Sequence, residues 1–158
     1  MSKLLSRRRI LILAVLVVGL AAGLYWFAPW KAVIDARVDE APAREASVLG
    51  QGPFRSLEHE TTGAAKVLEL ADGARVLRFE ELRTSNGPEL VVMLSSTPAT
   101  EDGWSAYDDG DFVLLGPLKG NIGSQNYDIP KDVDLARYKS AVVWCNRFSV
   151  GFGAAPIR

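Results

Sequence analysis

Cys145 and His59 are the only cysteine and the only histidine in the 158 residues of this chain. They are the side chains best suited to redox or ligand chemistry. A lone thiol forms no intramolecular disulfide. It is a small buried hydrophobe, an intermolecular partner, or a centre of redox or prosthetic-group chemistry. Cys145 sits in the run Val142-Val143-Trp144-Cys145-Asn146-Arg147-Phe148-Ser149-Val150. Read as one long strand from Ala141 to Phe152, with a break near Gly151, this run alternates. Val142, Trp144, Asn146, Phe148, Val150 and Phe152 share a core-like face, and Val143, Cys145, Arg147, Ser149 and Gly151 take the other. That parity puts Cys145 on the less apolar face, beside Arg147, whose guanidinium would stabilise a thiolate and raise its reactivity. The plainer reading is core packing, since free cysteine is among the most buried residue types.

His59 lies between Glu58 and Glu60, which could raise its pKa or orient a ring nitrogen. It is an axial ligand to a prosthetic group or a metal ligand with Cys145, or else a loop histidine bonded to backbone at a turn. One His and one Cys are too few for a closed metal site, and a blue-copper centre uses two His, so no metal is expected. The acidic residues Glu101, Asp102, Asp108, Asp109 and Asp111 lack the ordered spacing of a calcium loop and read as a solvated loop. Trp104 and Tyr107 beside them cap a ligand surface or cover the core edge. Hydrolytic signatures such as Gly-x-Ser-x-Gly and His-Glu-x-x-His are missing, and Gly116 to Gly123 lacks the Gly-Lys-Ser/Thr ending of a phosphate cradle, so no motif marks turnover of a small substrate.

Outside these residues, the amino terminus determines where such chemistry would occur. Ile10 to Trp30 is an almost unbroken apolar run, preceded by Lys3, Arg7, Arg8 and Arg9. About 20 apolar residues cross a bilayer as a helix, and flanking basic residues favour the cytoplasmic side. Tyr25, Trp26 and Trp30 cluster at the far end, where amphipathic aromatics favour the interface. A cleaved signal peptide is the rival, but bulky Leu24, Tyr25, Trp26 and Phe27 follow the small Ala21-Ala22-Gly23 and suit cleavage poorly. The expectation is a single-pass signal anchor over residues 10–30. Residues 1–9 would be cytoplasmic and the carboxy-terminal portion extracytoplasmic.

All 19 acidic residues follow Trp30, with 14 of the 18 basic ones, so that portion carries a net charge near −5. The balance excludes a nucleic-acid footprint and describes a solvated surface. With no disulfide framework, apolar burial must hold the fold.

Residues 31–47, rich in Ala, Asp, Glu and Arg, read as a linker holding the domain off the bilayer, with Ala32 to Val38 able to extend the helix. The domain proper covers residues 48–158. Ala65–Leu70 and Ala74–Leu82, joined by Asp72-Gly73, read as a hairpin. Leu77 and Phe79 point to one face, Arg78 and Glu80 to the other. After the turn Asn86-Gly87-Pro88, Leu90–Leu94 is apolar on both faces, as in a central strand. Phe112–Leu115 is another strand. Gly116-Pro117, Lys119-Gly120 and Ile122-Gly123-Ser124 read as loop punctuation, and Asp132 to Tyr138 as one helical turn. The fold class is therefore all-β, an antiparallel β-sandwich of jelly-roll or Greek-key type, preceded by one transmembrane helix.

The ordered pieces Gly52-Pro53-Phe54, His59 with Thr62-Gly63, Asp72-Gly73, and Asn86-Gly87-Pro88 running into Glu89-Leu90-Val91-Val92-Met93-Leu94-Ser95 form a pattern. It continues through Leu115-Gly116-Pro117-Leu118-Lys119-Gly120 and Gly123-Ser124-Gln125-Asn126-Tyr127-Asp128-Ile129-Pro130 to Tyr138-Lys139-Ser140-Ala141-Val142-Val143-Trp144-Cys145. From about Leu49 to Ile157 the chain resembles the DM13 domain, which in animals accompanies DOMON domains. The resemblance implies a β-rich extracellular module with a redox or electron-transfer role centred on the family's cysteine, here Cys145. That cysteine would act as a free thiol or as a ligand to a prosthetic group such as haem. Since the chain contains no DOMON domain, any cofactor-bearing redox partner is expected to be a separate protein. The rival is a non-catalytic binding or structural module of the cell envelope in which Cys145 is packing. A third reading is a ligand-binding jelly roll using Trp104, Tyr107 and the acidic loop.

Overall fold

The computed structural model describes residues 7–27, 34–42 and 45–158. The expectations placed on Lys3, on Trp30 and on helical extension through Ala32 and Val33 lie outside these residues. Helix α1 spans Arg7–Phe27. Its apolar side chains stand exposed all round and leave it without a polar face. A 21-residue helix is about 32 Å long, so α1 is long and apolar enough to cross a membrane. From Ile34 the chain is extended rather than helical.

The strands are β1 (Ala46–Pro53), β2 (Arg55–Ser56), β3 (Thr62–Leu70), β4 (Arg75–Arg83), β5 (Leu90–Ser95), β6 (Phe112–Pro117), β7 (Ile122–Ile129), β8 (Ser140–Cys145) and β9 (Val150–Pro156). They form two antiparallel sheets, one ordered β1-β3-β4-β7 and the other β2-β9-β8-β5-β6. The fold is the expected all-β sandwich. The Asp72-Gly73 turn joins β3 to β4 as anticipated, with Gly73 at φ +79 and Asp72 Oδ1 accepting from the Ala74 N–H. A single 3-10 turn, Leu135–Arg137, stands where one helical turn was expected.

The main core lies between the sheets. Leu77, Phe79 and Tyr127 from one sheet meet Leu90, Val92, Val143 and Cys145 from the other. Phe54 packs edge-on to Phe79 at 4.9 Å. Each fully buried Leu or Phe contributes about 1.5–3 kcal/mol. The five-stranded sheet is also covered on its outer face. The loop between β5 and β6 lays Ala99 and fully buried Tyr107 over Val91, Met93, Val142, Trp144 and Ala154. This explains why β5 is buried at every position. Tyr107 therefore covers the core, whereas Trp104 stays 47 % exposed.

Two readings are corrected. Ile122-Gly123-Ser124 is not loop but the start of β7, along whose outer edge runs the extended segment 34–42. Ala141–Phe152 is not one strand but the hairpin β8–β9, turning through Asn146–Ser149 with Ser149 at φ +50. The turn resets the alternation. Phe152 joins Cys145 and Val143 in the inter-sheet core, while Trp144 faces outward under the covering loop. The face expected to be less apolar is thus the main core face.

Candidate functional site

One end of the sandwich gathers most of the chemically distinctive residues. Cys145 closes β8 there, opposite Leu90 on one side and Val150 on the other. Its thiol is 0 % exposed within the inter-sheet core. His59 reaches the same region by another route. Its ring stacks on Phe152 at 3.8 Å with 28° between planes, and its carbonyl accepts from the Thr61 hydroxyl. Phe152 is two residues along β9 from Val150, the partner of Cys145. Cys145 and His59 thus flank the start of β9. Arg147, in the turn, pairs through Nε with Glu89 Oε2 at 3.5 Å. Its guanidinium carbon lies 5.2 Å from the Trp26 ring of α1.

Beside this end is a cleft of about 650 Å³, between residues 86–91 and 114–121. That volume is in the range of small-molecule sites. Leu90 lines it and is also the residue opposite Cys145. Leu114, Pro117 and Leu118 add apolar wall, together with Ile34, Ala36, Pro88 and Val91. Neither Cys145 nor His59 lines the cleft.

The walls are held by buried amides. Gln125, fully buried on β7, accepts through Oε1 from the Tyr127 hydroxyl at 2.6 Å and from the Lys119 and Gly120 N–H groups at 3.2 Å. Its Nε2 donates to the Gly120 carbonyl at 2.8 Å. Burial pushes the Tyr127 phenol up to about 12, so the hydroxyl remains a donor. Asn121 accepts through Oδ1 from the Ala36 N–H and donates through Nδ2 to the Thr84 carbonyl and to Asp35. Asn86 donates to the Ile34 carbonyl at 2.8 Å.

Through these bonds residues 34–42 become a strap along β7. The Val38 and Glu40 N–H groups donate to the Ile122 and Ser124 carbonyls at 2.9 and 2.8 Å. Gly123, at φ +105, lets the Val38 carbonyl approach where a Cβ would clash, and Gly120 does the same for the Ala36 carbonyl. Glu40 accepts from the Lys119 ammonium at 2.8 Å and from the Asn126 N–H at 2.6 Å. The bond from Lys119 is the main cause holding the Glu40 carboxyl below its usual range. Arg78, expected on an exposed face, does point outward from its sheet but is covered by the strap and donates to the Glu40 and Ala41 carbonyls.

Among the described residues no group of three or more His, Cys, Asp or Glu is placed to hold a metal ion. In the acidic loop, Asp102 pairs with Arg55 and Asp111 with Arg137. Haem ligation by Cys145 does not fit this packing, because the sulfur faces only the closed inter-sheet core.

The cleft is not legible in the sequence, although Asn86-Gly87 reads as a turn and Lys119-Gly120 as loop punctuation. Asn121 carried no signal. Its role depends on the strap, a contact between residues 85 apart.

Comparison with known proteins gives no match among curated proteins or solved structures. A family model described as "Electron transfer DM13" matches residues 53–157, about two thirds of the chain. The match runs from the end of β1 to beyond β9 and includes both motif stretches that wall the cleft, so the chain belongs to the electron transfer DM13 family.

Proposed function

We propose that this protein is a membrane-anchored extracytoplasmic electron-transfer module whose working region is the Cys145 end of the sandwich. Helix α1 is the single-pass anchor, with the basic residues before it cytoplasmic and the β domain outside. Cys145 is the redox-relevant residue, and a separate protein is the electron-exchange partner. The observation that carries this reading is the position of Leu90. It lines the cleft and is the cross-strand neighbour of Cys145 in the same core cluster, so one residue borders both the ligand-sized space and the thiol's surroundings. Arg147 bears on the site through Glu89 at the cleft wall rather than as a free cation for a thiolate.

The test uses full-length protein in detergent. Its absorption spectrum and redox titration are recorded, and thiol labelling is timed in native buffer. The reading expects a redox transition that Cys145→Ser shifts or abolishes, and native-state labelling faster than global unfolding. A colourless protein with no transition, labelled only when denatured, would sink it.

That negative outcome would favour a non-catalytic envelope module with Cys145 as packing. This second reading is supported by the complete burial of Cys145 among Leu90, Val143 and Phe152.

A further inference from the structure

We propose that the cleft binds the ring of a lipid-soluble quinone taken from the membrane surface. The choice of a redox-active ring rests on the electron-transfer reading. The apolar character rests on geometry, and the membrane source on geometry together with α1 as the anchor.

The polar side chains of the cleft wall are already engaged. Asn86 and Asn121 hold the strap, Lys119 binds Glu40 and the Asn126 carbonyl, and Glu89 pairs with Arg147. The larger share of the surface open to an occupant is apolar, from Leu114, Pro117, Leu118 and their neighbours. Leu114 is 47 % exposed on edge strand β6. Such a wall selects an apolar, flat or chain-like molecule and offers little to a sugar or an ion.

Two independent connections put the cleft beside the end of α1. Ile34, which lines it, follows Phe27 by seven residues, a reach of at most about 25 Å. Glu89, which also lines it, holds Arg147, and Arg147 lies against Trp26 near the end of the helix. An interfacial Trp marks the bilayer boundary, so a molecule dissolved in the bilayer is the nearest apolar ligand.

The experiment titrates decylubiquinone into full-length protein in phosphatidylcholine nanodiscs and reads saturable quenching of intrinsic fluorescence. Saturable binding is expected, weakened at least tenfold by Leu114→Glu, which puts a charge on the apolar wall. Ala36→Phe, on an exposed lining residue, should act in the same direction by filling the space. Circular dichroism checks that both variants fold. Absence of saturable binding, or binding that both folded variants retain, overturns the proposal. Equal competition by oleate also overturns it and assigns the cleft to an acyl chain. A redox transition without quinone binding removes this site and leaves the electron-transfer reading standing. Quinone binding without any redox transition does the reverse.

Discussion

Glu40 and Lys119 are joined by a 2.8 Å ion pair that ties the strap following helix α1 to the loop forming one wall of the cleft. The pair is reinforced by the Asn126 N–H, which donates to the other Glu40 oxygen at 2.6 Å. The strap and the cleft wall are therefore parts of one hydrogen-bonded unit.

Acidification should release the strap. The Glu40 carboxyl lies below its usual value near 4.5 in the folded protein. A depressed carboxyl stabilises the fold above its unfolded pKa and loses that contribution as pH falls through the lower folded value. Hydrogen-exchange protection of residues 34–42 should be intact at about pH 6 and reduced at about pH 3.5. Glu40→Gln should show the reduced protection at both values.

Gly123→Ala should have a larger local effect. A Cβ there meets the Val38 carbonyl, and the residue sits at φ +105. The expected cost is about 1–3 kcal/mol, read by urea denaturation, with protease sensitivity appearing first in the strap. Gly73→Ala is the comparison. It shares a positive φ but has nothing within 4 Å of the new Cβ, so it should cost less and leave the strap protected.

Alkaline stability tests the buried Tyr127–Gln125 bond. An unfolded tyrosine ionises near 10, whereas Tyr127 is pushed up to about 12 by burial. The raised value means stability is complete below about pH 10 and falls as pH rises toward 12, by at most about 1.4 kcal/mol per unit. Gln125→Leu removes the acceptor and leaves the phenol buried. It should cost about 1–3 kcal/mol at neutral pH by thermal unfolding.

Cys145→Ser should destabilise the domain more than Cys145→Ala. Serine puts a hydroxyl where the thiol meets only core side chains, at about 1–3 kcal/mol if no partner is found. Alanine leaves only a small void. Denaturant midpoints for the two variants decide it. The reverse order would mean that a polar group is tolerated beside Leu90 and that the cleft end admits water.

The sequence made the sheet-forming hairpin and the central strand readable because both are local. Asp72-Gly73 determines its own turn, and Leu90–Leu94 is apolar at each position. It misled at Trp144 and Cys145. Alternation gives two faces but does not say which is the main core, and here both are covered. A four-residue turn without glycine, Asn146 to Ser149, also hid the hairpin. Cys145 was correctly separated from Trp144, but the surroundings of the two faces were exchanged. The cleft was illegible for a different reason. Its walls come from residues 34–36, 86–91 and 114–121, brought together by the β5–β6 pairing and by the long-range bonds of Asn86 and Asn121.

The strap also affects how this protein tolerates crowding. Molecules confined to a surface collide edge to edge far more often than molecules in solution, and an open strand invites a copy to add to the sheet. Residues 34–42 occupy the outer side of β7, and β2 has only two residues to offer. At β6, the register slips opposite Val92 and Met93, with Gly116 at φ +142 bending the ribbon out of line. Three of the four sheet margins thus resist templated stacking by different means, so copies held close together gain little by adding at them.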